Sequence, residues 1–145
     1  MRLLLVAIAG LLAACGTREV VEVKQFTVRE TEVDWSEDPL VRGEMQKRLY
    51  GAISQKERRD RLGQYFSIRW RVPQGPVAVV FDYRQSGTGS RIHRLRKDYG
   101  FGGSEVVEIA INGENYRESG RVTSWRARVY RDDQLLGEKR SFLWE

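Results

Sequence analysis

The sequence has few of the residues that usually build catalytic and metal centres. It contains one cysteine, one histidine and three prolines among 145 residues. With a single cysteine the chain cannot form an internal disulfide, so its stability must come from an apolar core. A zinc site of cysteine and histidine ligands is excluded within a monomer. We therefore predict neither a metal site nor a cofactor.

Long apolar runs are also scarce, and the one at the start of the chain is short. Arg2 precedes an apolar run over residues 3–14, which ends in the small residues Ala13 and Ala14. As a helix this run would be about 18 Å long. That length is well short of the roughly 30 Å thickness of a hydrocarbon core. The layout is typical of a secretory signal peptide rather than of a transmembrane helix.

The single cysteine directly follows this run. The stretch LAAC, Leu12–Cys15, with Gly16 after it, resembles the lipobox of bacterial lipoproteins. The resemblance implies that the Cys15 thiol receives a diacylglyceryl group and that residues 1–14 are removed. Residues 15–18 would then form the lipid anchor and a short tether. Such a tether would hold the domain within about 10 Å of a membrane.

The same resemblance predicts a location for the protein. A lipidated Cys15 would attach the chain to the cell envelope. In bacteria that sort lipoproteins between two membranes, a residue other than aspartate after the cysteine, here Gly16, commonly implies the outer membrane. We therefore expect an outer-membrane lipoprotein that faces the periplasm. Nucleic acid is not an expected partner there, although the formal net charge is +5.

Residues 19–145 are predicted to form a single β-rich domain. Alternation of polar and apolar residues indicates about seven strands, and such alternation favours antiparallel sheets. The stretch QYFSIRWRV, for example, places Phe66, Ile68 and Trp70 on one face. The first strand signal, residues 19–33, alternates imperfectly and predicts a bulge near residues 24–25.

One segment of the domain, at about residues 39–62, is predicted to be helical. Asp38 before Pro39 is typical of a helix N-terminus. Ser54 and Glu57 have the spacing of a capping box, which could begin a second short helix. The segment is therefore predicted to be one helix, or two with a break near residues 51–54. Apolar residues recur every four positions and form one stripe, namely Val41, Met45, Leu49 and Ile53.

The predicted fold class is therefore mainly β. The strand number and turns favour an antiparallel β-sandwich of immunoglobulin-like or transthyretin-like type. The helical segment would be an insertion after the first strand. A small antiparallel barrel is the alternative.

His93 is the only histidine and hence the main candidate for general-base catalysis. A hydrolase triad could combine it with Ser86 or Ser90 and with Asp82 or Asp98. The sequence has no G-x-S-x-G motif, and the arginines around His93 disfavour the imidazolium that such a mechanism forms. We therefore predict that no residue is catalytic.

Arginines occupy the polar positions of two predicted core strands, with tyrosines between them. These residues are Arg69, Arg71, Arg126, Arg128, Tyr65 and Tyr130. A third predicted strand, residues 91–97, is also basic. If the strands share a sheet, they form one basic face suited to an acidic protein, anionic lipid headgroups or a glycan phosphate. Alternatively, the arginines pair across strands with glutamates, namely Glu105, Glu108 and Glu138.

These features predict a non-catalytic structural or interaction module, held at the membrane through acylated Cys15. Its expected partner is another envelope protein or an anionic envelope surface, bound through the basic face. Two alternatives remain: an envelope hydrolase that uses His93, and a carrier that holds an apolar ligand in its sandwich or barrel.

Overall fold

The computed structural model describes residues 19–30, 38–100 and 104–145. The strands are β1 (Val21–Val28), β2 (Gly63–Arg71), β3 (Val77–Gln85), β4 (His93–Tyr99), β5 (Ser104–Asn112), β6 (Val122–Arg131) and β7 (Gln134–Arg140). The helices are α1 (Pro39–Leu49), α2 (Gln55–Arg61) and α3 (Gly113–Ser119).

The strands form two antiparallel sheets. One sheet has three strands in the order β1-β2-β5, and the other has four in the order β4-β3-β6-β7. Within the described residues the sheets do not close into a barrel. The predicted antiparallel β-sandwich with a helical insertion after the first strand is confirmed, and the barrel alternative is wrong.

The main core lies between the two sheets. Phe66, Ile68 and Trp70 of β2 are fully buried there, as their alternation predicts. Phe81 of β3 meets Phe66 with ring centroids 4.9 Å apart. The inward side chains of both sheets therefore supply the apolar burial that a chain without disulfides needs.

The predicted bulge in β1 is wrong, because β1 pairs with β2 in one continuous register from Val21 to Val28. Apolar side chains lie on both faces of β1 for a different reason. Val21 packs in the main core, whereas Val28 packs with Met45 of α1 and Tyr65 of β2 in a second cluster. The strand is thus covered by the sandwich on one face and by α1 on the other.

The predicted helical segment forms two helices with a break between them. The Asp38 carboxylate accepts a hydrogen bond from the Leu40 N–H at 2.7 Å and caps α1. Ser54 and Glu57 form the predicted capping box of α2. The apolar stripe is only partly confirmed: Met45 is buried, but Ile53 lies beyond the end of α1 and is 93% exposed.

The third helix was not predicted. The pair Asn112-Gly113 is a turn signal in the sequence, yet here it ends β5 and begins α3. Gly113 adopts a φ of +61°, a conformation that glycine tolerates best. The signal therefore located the end of the strand correctly but gave no indication of the seven-residue helix after it.

The two sheets approach each other closely along β1 and β7. A Cβ at Gly137 of β7 would lie 2.7 Å from Cγ1 of Val20, so any larger residue there would force Val20 to shift. Two residues further along β7, Lys139 forms an ion pair with Glu19. The start of the described domain therefore lies beside the end of β7.

Candidate functional site

The structure divides the predicted basic face between the two sheets. Arg69 and Arg71 lie on β2 of the three-stranded sheet, whereas Arg126 and Arg128 lie on β6 of the four-stranded sheet. Polar positions of both strands point outward, but in a sandwich the two outer surfaces face opposite ways. The prediction of one face that contains all four arginines is therefore wrong.

Tyr65 does not belong to an exposed surface either. It is buried beneath α1, and its hydroxyl donates to the Arg61 carbonyl at 2.7 Å. The Arg48 guanidinium lies 4.3 Å from the centre of its ring. Arg48 also forms an ion pair with Glu108 at 2.8 Å. Glu108 is one of the glutamates that were expected to neutralise the arginines of the strands. Tyr65 therefore helps to fix α1 on the sheet.

On the four-stranded sheet, three arginines converge on Asp82. This residue lies in β3, level with Arg94 of β4 on one side and Arg126 of β6 on the other. Its carboxylate is 0% exposed. Arg94 donates to both carboxylate oxygens, at 2.6 and 3.1 Å, while Arg126 and Arg128 donate to Oδ2 at 3.1 and 2.6 Å. Three guanidinium groups thus share a single carboxylate, and the cluster keeps a positive charge.

These contacts also decide the ionisation of Asp82. Burial acts to raise its pKa, but hydrogen bonds from Arg94 and Arg126 and the positive charge of Arg128 lower it more. The pKa of Asp82 consequently lies below its ordinary value of 3.8. The carboxylate is therefore ionised at neutral pH and holds the three arginines in place.

The outer surface of the four-stranded sheet extends this cluster. We name it the arginine face and define it by Arg84, Arg94, Arg96, Arg126 and Arg128. A groove of about 250 Å³ opens on it. The groove is lined by Val80, Arg94, Arg96, Arg128, Tyr130, Asp132 and Asp133.

The groove offers hydrogen-bond donors to an anion. The side chains of Arg94 and Arg96 are 60% and 59% exposed, so their guanidinium groups reach solvent. Tyr130, which the sequence placed at this surface, accepts a hydrogen bond from Arg128 Nη1 at 2.7 Å. Guanidinium groups held in this way suit the planar recognition of a carboxylate or a phosphate.

Sequence reasoning missed Trp144, which covers one end of the arginine face. Its side chain is 5% exposed, although it does not belong to the core cluster between the sheets. The guanidinium carbons of Arg84 and Arg126 lie 4.4 and 5.0 Å from its ring. These cation–π contacts hold the C-terminal segment against the sheet. No periodic pattern near the end of the chain signals such a contact.

The candidate triad around His93 is not assembled. His93 pairs with Tyr83 and stacks on its ring at 5.1 Å, whereas Asp82 is level with Arg94. Since adjacent residues of a strand face opposite ways, His93 and Asp82 lie on opposite sides of the sheet. The imidazole Nε2 lies 3.3 Å from Thr88 Oγ1. The other candidate acid, Asp98, is paired with Arg96.

The predicted lipidation site, Cys15, lies outside the described residues, as do the signal peptide and the tether. Among the residues that are described, no helix has the length and apolar character needed to cross a membrane. Comparison of the chain with protein-family models, curated proteins and solved structures found no match. Function must therefore be inferred from the residues and their arrangement.

Proposed function

We propose that this protein is a lipid-anchored, non-catalytic interaction module of the bacterial cell envelope. Its arginine face binds an acidic segment of another envelope protein. One observation carries this proposal: Arg94, Arg126 and Arg128 are held around a single buried carboxylate, which neutralises only one of their three charges.

The pairing with Asp82 leaves guanidinium donors free for a partner. Each guanidinium has five N–H groups, and the Asp82 carboxylate accepts four hydrogen bonds from three such groups. Among the described residues, Arg94 forms an ion pair only with Asp82. Because Asp82 fixes the arginines before a partner arrives, less side-chain entropy is lost on binding.

The groove favours a peptide carboxylate over a flat anionic surface. It is concave, and Asp132 and Asp133 line it together with Arg94, Arg96 and Arg128. These two acids repel uniform negative charge but leave room for a carboxylate positioned over the arginines. Tyr130 adds an aromatic surface beside the donors, as is common in protein interfaces.

Neutralising the groove is expected to abolish most partner binding. In the Arg94→Gln/Arg96→Gln double variant, we expect recovery of a crosslinked partner from envelope extracts to fall about tenfold. A tenfold loss of affinity corresponds to roughly 1.4 kcal/mol of binding free energy. The remaining arginines keep Asp82 paired, so the fold should persist. The matched control is Arg69→Gln/Arg71→Gln, which removes the same charge from the opposite sheet and should leave recovery unchanged.

The proposal fails if both double variants recover the partner equally well. Loss of recovery in both would also contradict it, because net charge rather than the groove would then determine binding. Circular dichroism spectra and thermal midpoints of both variants show whether the fold is retained. Higher salt should weaken binding of the unaltered chain, since part of each arginine is exposed to solvent.

The anchor is tested separately by Cys15→Ala. A thiolate is the nucleophile that the lipid transfer requires, so the variant should incorporate no labelled lipid and should retain residues 1–14. Metabolic labelling with a radioactive fatty acid and the electrophoretic mobility of the chain measure both effects. Thr17→Ala, which lies outside the lipobox, is the control and should behave like the unaltered protein. Unchanged labelling of Cys15→Ala would contradict the anchor.

A further inference from the structure

Two large apolar side chains project from the segment after β7. Phe142 is 98% exposed and Leu143 is 65% exposed, whereas the next residue, Trp144, is 5% exposed. A side chain as exposed as Phe142 has almost no neighbours and therefore protrudes from the surface. Adjacent exposed apolar side chains are a common mark of an interaction site.

The protruding pair is held in a defined turn. Ser141 N–H donates to the Trp125 carbonyl at 2.9 Å, and Trp125 N–H donates to Ser141 Oγ at 2.9 Å. Trp144 N–H then donates to the Ser141 carbonyl at 3.1 Å. We name residues 141–144 the tail turn. Because both of its ends are fixed, the tail turn presents Phe142 and Leu143 outward as a preformed unit.

Arginines lie beside the tail turn, which one exposed acid, Glu145, follows. Arg84 and Arg126 contact the ring of Trp144. Arg140 directly precedes the turn and is paired in register with Arg126. Protruding apolar side chains with arginines around them match the lipid interface, where apolar groups enter the acyl region and cations meet anionic headgroups. A concave protein site would require complementary walls, whereas a bilayer deforms around the two side chains.

The position of the tail turn fits a membrane contact. Lys139, two residues before Ser141, pairs with Glu19 at the start of the described domain. Glu19 is four residues from Cys15 in the sequence. If Cys15 carries the proposed lipid, the tail turn lies close to the point where the chain leaves the membrane.

We infer that the tail turn is a second membrane contact, which binds an anionic lipid surface through Phe142, Leu143 and the neighbouring arginines. Its proximity to the membrane rests on the proposed anchor at Cys15. A second contact beside the lipid anchor adds to membrane affinity and restricts the orientation of the domain. The domain would then be held with the Trp144 end of the arginine face toward the bilayer.

The test measures the lipid contact at individual positions. Full chain purified from membranes, with an environment-sensitive fluorescent amino acid at position 142, is reconstituted into vesicles of equal parts phosphatidylglycerol and phosphatidylcholine. The matched control carries the same fluorophore at position 53, because Ile53 is 93% exposed but lies between α1 and α2. Lipids brominated on the acyl chain quench a fluorophore that enters the membrane.

We expect strong quenching at position 142 and none at position 53. Replacing Arg84 and Arg140 with glutamine should weaken the quenching, because each arginine near an anionic surface contributes about fivefold in affinity. Pure phosphatidylcholine vesicles should have the same weakening effect. Equal quenching at both positions, or none at position 142, overturns the inference. Quenching that does not depend on anionic lipid overturns the part assigned to the arginines.

Failure of this inference can be distinguished from failure of the anchor. The quenching experiment is repeated on Cys15→Ala, and lipid incorporation is measured on the same sample. In the unaltered chain, quenching at position 142 without lipid incorporation would support the tail turn and contradict the anchor. In Cys15→Ala, loss of lipid incorporation is the result that the anchor predicts, and quenching that persists there supports the tail turn. Lipid incorporation in the unaltered chain without quenching at position 142 would support the anchor and contradict the tail turn.

Discussion

Replacing Gly63 with alanine is expected to lower the free energy of unfolding by about 4 kcal/mol. Gly63 is the first residue of β2 and pairs with Val28 on one side and Asn112 on the other. Its φ is +148°, and a Cβ would lie 2.6 Å from the Asn112 Cα and closer still to the Ile111 carbonyl oxygen. Backbone atoms cannot rotate away, so the pairing of β2 with β5 would have to shift.

Gly43→Ala is the matched control for this prediction. Gly43 lies within α1, and a Cβ there would meet nothing within 4 Å. Alanine in a helix interior is more favourable than glycine, so this variant should be more stable by about 0.5–1 kcal/mol. Urea unfolding followed by circular dichroism measures both changes. Destabilisation of similar size in the two variants would contradict the steric explanation.

Asp82→Asn is expected to be the second most damaging substitution, with a loss of about 3 kcal/mol. The amide removes the charge to which Arg94, Arg126 and Arg128 are all hydrogen-bonded, and it offers one acceptor oxygen in place of two. Part of the cost is relieved because Arg94 reaches solvent. Asp98→Asn, which removes a carboxylate from a solvent-exposed pair with Arg96, is the control and should change the thermal midpoint little.

The contribution of Asp82 should also depend on pH. Because folding lowers the pKa of Asp82 below 3.8, its ionised form stabilises the native state. This contribution is complete above pH 3.8 and is lost as the pH falls through the lower, folded-state pKa. The difference in thermal midpoint between the unaltered chain and Asp82→Asn should therefore shrink only below pH 3.8. A difference that stays constant at lower pH would contradict this assignment.

Alternation in the sequence predicted which side chains of a strand face inward, but not which sheet contains the strand. The inward and outward positions of β2 were predicted correctly from Tyr65 to Trp70, because the alternation of side chains is a local property of the strand. Sheet membership depends instead on the connection between strands. The PQGP segment between β2 and β3 joins two sheets instead of two paired strands. The predicted basic face was therefore divided.

The role of Asp82 depends on contacts between residues distant in the sequence. A single acid within VAVVFDYRQ indicates a buried carboxylate that needs a partner. Its partners come from β4 and β6, and Arg126 is 44 residues away in the chain. The sequence contained both the acid and the arginines, but only the strand order brings them together. Trp144 is a similar case, since its contacts with Arg84 and Arg126 also require the folded sheet.

The arginines of β4 have a further consequence, because β4 is an outer strand of the four-stranded sheet. An open strand edge can pair with the same edge of another molecule and so begin aggregation. Three basic residues, Arg94, Arg96 and Lys97, are exposed along this edge. Arg94, Arg96 and Lys97 carry like charges, which repel when two such edges approach, and this repulsion disfavours the addition of a further strand. The residues that make the surface basic therefore also help to keep neighbouring copies of the domain apart.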